Sequence, residues 1–150
     1  LHTNDSAGAS MRLCDMGVEP FLVSSTVEGV MAQRLVRRLC DECREPYVPK
    51  RKDVPEDFPF DDVVKNDATV YRPRGCRKCR DTGYRGRIGL YELLVANDAI
   101  RNLANERKPT NAIKQAAIDS GMKTLRMDGW DKALAGITSV EEVVRVTKNG

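Results

Sequence analysis

A mixed α/β fold is predicted for this 150-residue chain by three features. Two apolar, strand-like segments lie on either side of a doubled Cys-x-x-Cys motif, helix-period apolar positions open the chain, and a helical pattern fills its last third. Asp5 or Ser6 is placed to cap a first helix, in which Ala7, Met11 and Cys14 fall at i, i+4 and i+7 and Gly17 supplies the stop. Cys14 is then expected to face a core. Pro20 suits the first turn of a second helix carrying Val23, Val27 and Val30, with Gly29 weakening its end. The run Gln33 to Leu39 fits either a prolonged helix or a strand, and we read it as a strand.

Between Cys43 and Cys76, Pro46, Pro49, Pro55, Pro59 and Pro73 stand among many charges, which excludes a long helix and predicts loops. Asp81 to Gly86 has turn chemistry, and Arg87 to Leu94 reads as a second strand. If the two strands pair as a hairpin with the cysteine segment in place of its tip, Cys40 is brought close to Cys79. Asp98 and Thr110 are expected to cap helices carrying Ile100 and Leu103, then Ile113, Ala116 and Ala117, with Gly121 as the second stop. Leu125, Trp130, Ala133 and Leu134 mark a third helix, with Trp130, the only Trp, as a core anchor. Thr138-Ser139-Val140-Glu141 reads as a capping box opening a fourth helix with Val143 and Val144. The expected division is therefore residues 1–39, helices then strand; 40–86, a cysteine module; 87–96, a returning strand; and 97–150, a helical subdomain.

Hydrophobic residues at 41% and charged residues at 31% suit one folded domain and exclude disorder throughout. No run of about 18 apolar residues occurs, so no transmembrane segment is expected. The start, Leu1-His2-Thr3-Asn4-Asp5, has neither the basic residues nor the apolar stretch of a signal peptide, and the expected location is cytoplasmic. That polar start without an initiator Met suggests a piece of something longer. Net charge is only +3, yet from Arg34 to Arg87 there are fifteen Lys or Arg against ten Asp or Glu, so basic charge gathers around the cysteines.

Two intervening residues let both sulfurs of a Cys-x-x-Cys turn converge on one ion, and two such turns complete a tetrahedral site. Cys40, Cys43, Cys76 and Cys79 are therefore expected to bind one structural zinc, with no position left for a catalytic water. Four thiolates also accept iron. Arg38, Arg44, Arg77, Lys78 and Arg80 are placed to offset the negative charge of the cluster. Disulfides and redox motifs are the competing uses of the same cysteines, the first disfavoured in a reducing compartment. Cys14, with no His or Cys near it in sequence, is expected to be a small apolar residue and not a nucleophile.

Leu1-His2-Thr3-Asn4-Asp5-Ser6-Ala7, Ala32 to Cys40, Gly75-Cys76-Arg77-Lys78-Cys79, Thr82 to Arg87, Leu90-Tyr91-Glu92-Leu93-Leu94, Gly121 to Gly129 and Thr138 to Thr147 together resemble the type II secretion and type IV pilus assembly ATPases. The blocks span nearly the whole chain, while residues 50–69 and 99–111 contribute little. The resemblance implies the C-terminal part of a RecA-like P-loop NTPase domain, with an inserted tetracysteine zinc module and a C-terminal helical subdomain. It implies that His2 belongs to a histidine box near the nucleotide phosphates and is catalytic in the parent enzyme only; without it, a lone His near a terminus reads as a surface residue. It further implies a homo-hexamer with ATP and Mg as cofactors, peripheral on the inner membrane and working on a membrane platform protein. Arg44-Glu45-Pro46-Tyr47 and Thr82-Gly83-Tyr84 lean toward type II secretion over pilus assembly. No Gly-x-x-x-x-Gly-Lys-Ser/Thr loop occurs among the 150 residues, so the piece alone is not expected to hydrolyse ATP. The alternative is a stand-alone zinc ribbon whose basic excess contacts nucleic acid, although Asp53, Glu56, Asp57, Asp61 and Asp62 would repel a phosphate track. The favoured reading involves no nucleic acid.

Overall fold

The computed structural model describes residues 1–148. In order, the chain forms α1 (Gly8–Asp15), α2 (Pro20–Thr26), β1 (Gly29–Leu39), β2 (Glu45–Tyr47), α3 (Phe60–Lys65), β3 (Val70–Arg72), β4 (Tyr84–Val95), α4 (Asp98–Asn105), α5 (Thr110–Asp119), α6 (Leu125–Leu134) and α7 (Val140–Thr147). The final two residues of the expected helical segment 97–150 lie outside the described residues. β1 pairs with β4, and bonds from the Ala96 amide to the Glu28 carbonyl and from the Cys40 amide to the Gly83 carbonyl set them antiparallel. From Met31 to Val36 and from Leu90 to Val95 side chains alternate: Ala32, Val36, Leu90, Glu92 and Leu94 are buried, while Met31, Leu35, Tyr91, Leu93 and Val95 are exposed, and Leu39 is buried out of that register.

The chain divides into two compact units. One comprises residues 1–33 and 91–125 and closes around Ala7, Leu94, Ile100, Ala104, Ile113, Ala117 and Met122. In it α2 packs against both α1 and α4, and α4 against α5. Its buried carboxylate, Glu92, accepts hydrogen bonds from the amide and hydroxyl of Ser6 and, at 3.0 Å, from the amide of Leu125. The other unit comprises residues 34–90 with 126–148, and its core is Phe58, Val63, Val70, Trp130, Ala133, Val140 and Val143. Trp130 meets Phe58 edge-on at 5.3 Å and donates its indole N–H to Asp57 at 3.0 Å, the anchoring role expected of it.

Several local expectations need correction. α2 stops at Thr26, because Val27 is already extended and β1 begins at Gly29, so Val27 and Val30 are not helical. These β-branched residues fit a strand better than a helix end. Cys14 is half-buried and does not reach the expected full burial. α4 is capped by Asn97, whose Oδ1 accepts from the Ile100 amide at 2.9 Å, and Asp98 is its first residue. Thr110 likewise opens α5 without capping it. The cap of α7 is Ser139, which accepts from the Glu142 amide at 3.3 Å, one residue later than the expected box. Glu142 does not close that box, because its carboxylate is held by Arg37 and Arg145.

Candidate metal centre

The paired strands β1 and β4 deliver Cys40 and the Thr82-Gly83 turn side by side, and the short β2–β3 ladder, Glu45 opposite Arg72 and Tyr47 opposite Val70, returns the chain to Cys76. Each Cys-x-x-Cys segment folds into a turn. The amides of Cys43 and Arg44 donate to the Cys40 carbonyl at 3.3 and 3.0 Å, and those of Cys79 and Asp81 to the Cys76 carbonyl at 3.2 and 2.9 Å. Arg80 and Asp81 both take the left-handed conformation, with φ of 54° and 62°, which bends the chain back over the Cys79 sulfur.

The four sulfurs lie within 4.8 Å of one another. Cys40 to Cys76 and Cys43 to Cys79 are each 3.8 Å, and Cys76 to Cys79 is 3.7 Å. A disulfide would need about 2.05 Å, and all five cysteines are free thiols. A metal at about 2.3 Å from each sulfur of a tetrahedron would set them about 3.8 Å apart. The donor set therefore fits a four-coordinate ion of the zinc or iron type, and these four residues could hold one.

Backbone amides point at the sulfurs. Cys79 Sγ accepts from the amides of Cys76 at 3.1 Å and Gly83 at 3.2 Å, and Cys43 Sγ from Gly75 at 3.3 Å. Burial pushes the Cys79 thiol up, but those two amides and the neighbouring Cys76 and Cys43 sulfurs outweigh it and hold the group down at about 6. Burial dominates at Cys43, pushed up to about 11. The amide donors thus favour the Cys79 thiolate, the form in which a sulfur ligates a metal. Gly75 and Gly83 supply φ of 104° and 78°, and a Cβ on Gly83 would collide with Pro73.

Of the basic side chains expected around the cluster, Lys78 is bound to Glu42 at 2.8 Å, and Arg44 donates to the Gly136 carbonyl while lying 4.5 Å over the Tyr71 ring. Their charge is partly spent on other partners, and the direct contacts to sulfur come from amides. Sequence reasoning missed the amide donors, although the glycines at 75 and 83 were their visible signal. His2 is exposed on the segment before α1, about which Thr3 Oγ1 to the Asp5 carbonyl at 2.8 Å and Lys114 to Asp5 at 3.2 Å are the local ties.

A family model described as Type II/IV secretion system protein matches residues 1–145. The chain belongs to this family. Within it, the chain is 48% identical over 148 residues to the Type II secretion system ATPase E of Vibrio cholerae, a match covering 99% of this chain and 29% of that relative. It is 47% identical over 148 residues to the Type II secretion system protein E of Dickeya dadantii, covering 99% and 28%. It is 45% identical over 147 residues to the Type IV pilus assembly ATPase PilB of Thermus thermophilus, covering 98% and 16%. The chain spans less than a third of the length of these curated relatives. No helix among the described residues is long and apolar enough to cross a membrane.

Proposed function

We propose that this chain is the C-terminal part of a hexameric ATPase that powers type II protein secretion or type IV pilus assembly, and that its own contribution is a structural zinc module. The observation that carries the reading is the family match running from residue 1 to residue 145, through the four clustered cysteines. Zinc held by Cys40, Cys43, Cys76 and Cys79 would supply no catalytic chemistry, since four protein ligands leave no place for water or substrate. It would fix the ends of β1 and β4 and the segment between them.

The RecA-like placement of residues 1–39 and 87–96 draws support from the exposed apolar side chains of Met31, Tyr91, Leu93 and Val95, a strand face that further chain would cover. ATP and Mg would then bind residues outside this sequence, with His2 as the histidine-box residue near the phosphates. Its exposed place before α1 is compatible with contact to a neighbouring segment. The assembled enzyme is proposed to be cytoplasmic, peripheral on the inner membrane and engaged with a platform protein. The nucleic-acid alternative has less to rest on, because Lys78 pairs with Glu42, Arg72 and Arg74 with Glu45, and Arg126 with Asp57.

The test is ATP hydrolysis by the full-length protein, beside this chain alone and the His2→Ala variant. We expect turnover from the full-length protein, none from the isolated chain, and a tenfold or greater fall in kcat for His2→Ala. Turnover unaffected by the substitution would remove His2 from the site, and tight, salt-sensitive binding of DNA or RNA without ATP turnover would favour the alternative.

A further inference from the structure

The four sulfurs are not equivalent. Cys40, Cys43 and Cys79 are buried, at 1%, 8% and 6% exposure, whereas Cys76 is only half-buried. Cys79 is covered by two amide donors and Cys43 by one. Each such donor draws electron density from its sulfur and stands in the path of an attacking reagent. Two other sulfurs stand within reach of Cys76, Cys79 at 3.7 Å and Cys40 at 3.8 Å.

From this asymmetry we propose that Cys76 is a covalent modification site of the metal module, the sulfur at which peroxides and soft electrophiles react first. The inference rests on the zinc reading above. With hydrogen peroxide as oxidant, the Cys76 thiolate attacks one peroxide oxygen, the O–O bond breaks and hydroxide leaves, giving a sulfenic acid. The thiolate of Cys79 or Cys40 then attacks the Cys76 sulfur, an S–S bond forms, the S–O bond breaks and a second hydroxide leaves. Two thiolates lose one electron each and one peroxide gains two. Only two thiols remain, too few for a structural zinc site, so oxidation ejects the metal.

The experiment uses the zinc-loaded chain carrying Cys14→Ser, a position outside the cluster that would otherwise react on its own. Zinc content is measured first, so that failure of the zinc reading is seen separately. The loaded chain is then exposed briefly to substoichiometric N-ethylmaleimide, or to hydrogen peroxide with a sulfenic-acid trap, and adducts are located by peptide mass mapping while released zinc is followed with a chromogenic chelator. We expect Cys76 to carry at least about fivefold more adduct than any other cysteine, and zinc release to track peroxide consumption one to one. Equal labelling of the four, or first labelling at Cys40, Cys43 or Cys79 in a chain that holds one zinc, would overturn the proposal.

Discussion

Glu142 shows how one side chain organises its unit. It is buried, accepts from the Arg37 amide at 2.8 Å, and takes paired hydrogen bonds from both the Arg37 and Arg145 guanidinium groups. Burial pushes its carboxyl up, but these donors outweigh burial and hold it at about 2, below the ordinary 4.5. A lowered folded value means that the stabilisation is complete above about pH 4.5 and is lost as pH falls toward 2. Both arginines keep half of their side chains in water, so solvent screens part of the attraction. We expect Glu142→Gln to cost about 2 kcal/mol at pH 7, and the gap between variant and wild type in urea unfolding to close as pH drops from 4.5 to 2. A gap that stays constant across that range would show that packing, and not the charge, carries the effect. The sequence announced none of this: Glu142 was visible only as a residue near a helix start, and its partner Arg37 lies 105 positions away. Local signals such as caps and turns can be read from neighbours in the chain, but a carboxylate's partner across the fold cannot.

At the scale of elements, the packing of α6 against α7 depends on Gly129. A Cβ there would stand 2.5 Å from Val143 Cγ1 and 3.3 Å from Leu90 Cδ1. Alanine is the better helix former by about 1 kcal/mol, yet a clash with a buried β-branched side chain costs about 1–3 kcal/mol. Gly129→Ala is therefore predicted to lower the unfolding midpoint, and Gly129→Ala with Val143→Ala to be less destabilised than the sum of the two single changes. Simple additivity in the denaturation data would disprove the close contact. Most elements here were legible because their apolar spacing is strong, as with α6 and its Trp130, or the strand ending at Leu39. The errors fell at ends. α2 is shorter than its spacing predicts because Val27 and Val30 continue a helical period by chance, although Val27 is extended and the Glu28 carbonyl already accepts from the Ala96 amide. The caps of α4 and α7 were each off by one residue because Asn97 stands beside Asp98 and Ser139 beside Thr138, pairs of equally competent cap residues. The β2–β3 ladder was missed outright, since three residues per strand with Pro46 in the first give too short a pattern to recognise.

For the molecule as a whole, the cysteine cluster was the most legible feature, because metal-ligand spacing is a local code and the flanking strands read clearly enough to bring the two pairs together. What spacing alone did not provide was the amide lining of the site and the inequality of its sulfurs; one of the lining amides, that of Gly83, follows the left-handed turn at Arg80 and Asp81. The cluster lies in the unit of residues 34–90 and 126–148, whose apolar core is a separate group of side chains. A structural zinc site can contribute about 10 kcal/mol or more, comparable with the whole stability of a small domain. Chelation should therefore loosen the amides of Gly75, Cys76 and Gly83 first, seen as rapid hydrogen exchange there while the amides around Ile113 and Ala117 stay protected.

The measurement that comes closest to the central claim is elemental analysis of the purified chain together with thiol counting before and after chelation. The account predicts one zinc per chain and, in a brief reaction with limiting reagent, Cys14 reacting ahead of the four cluster cysteines, with all five thiols counted once the metal is withdrawn. A folded chain that carries no metal, with Cys40, Cys43, Cys76 and Cys79 freely reactive or paired as disulfides, would contradict it.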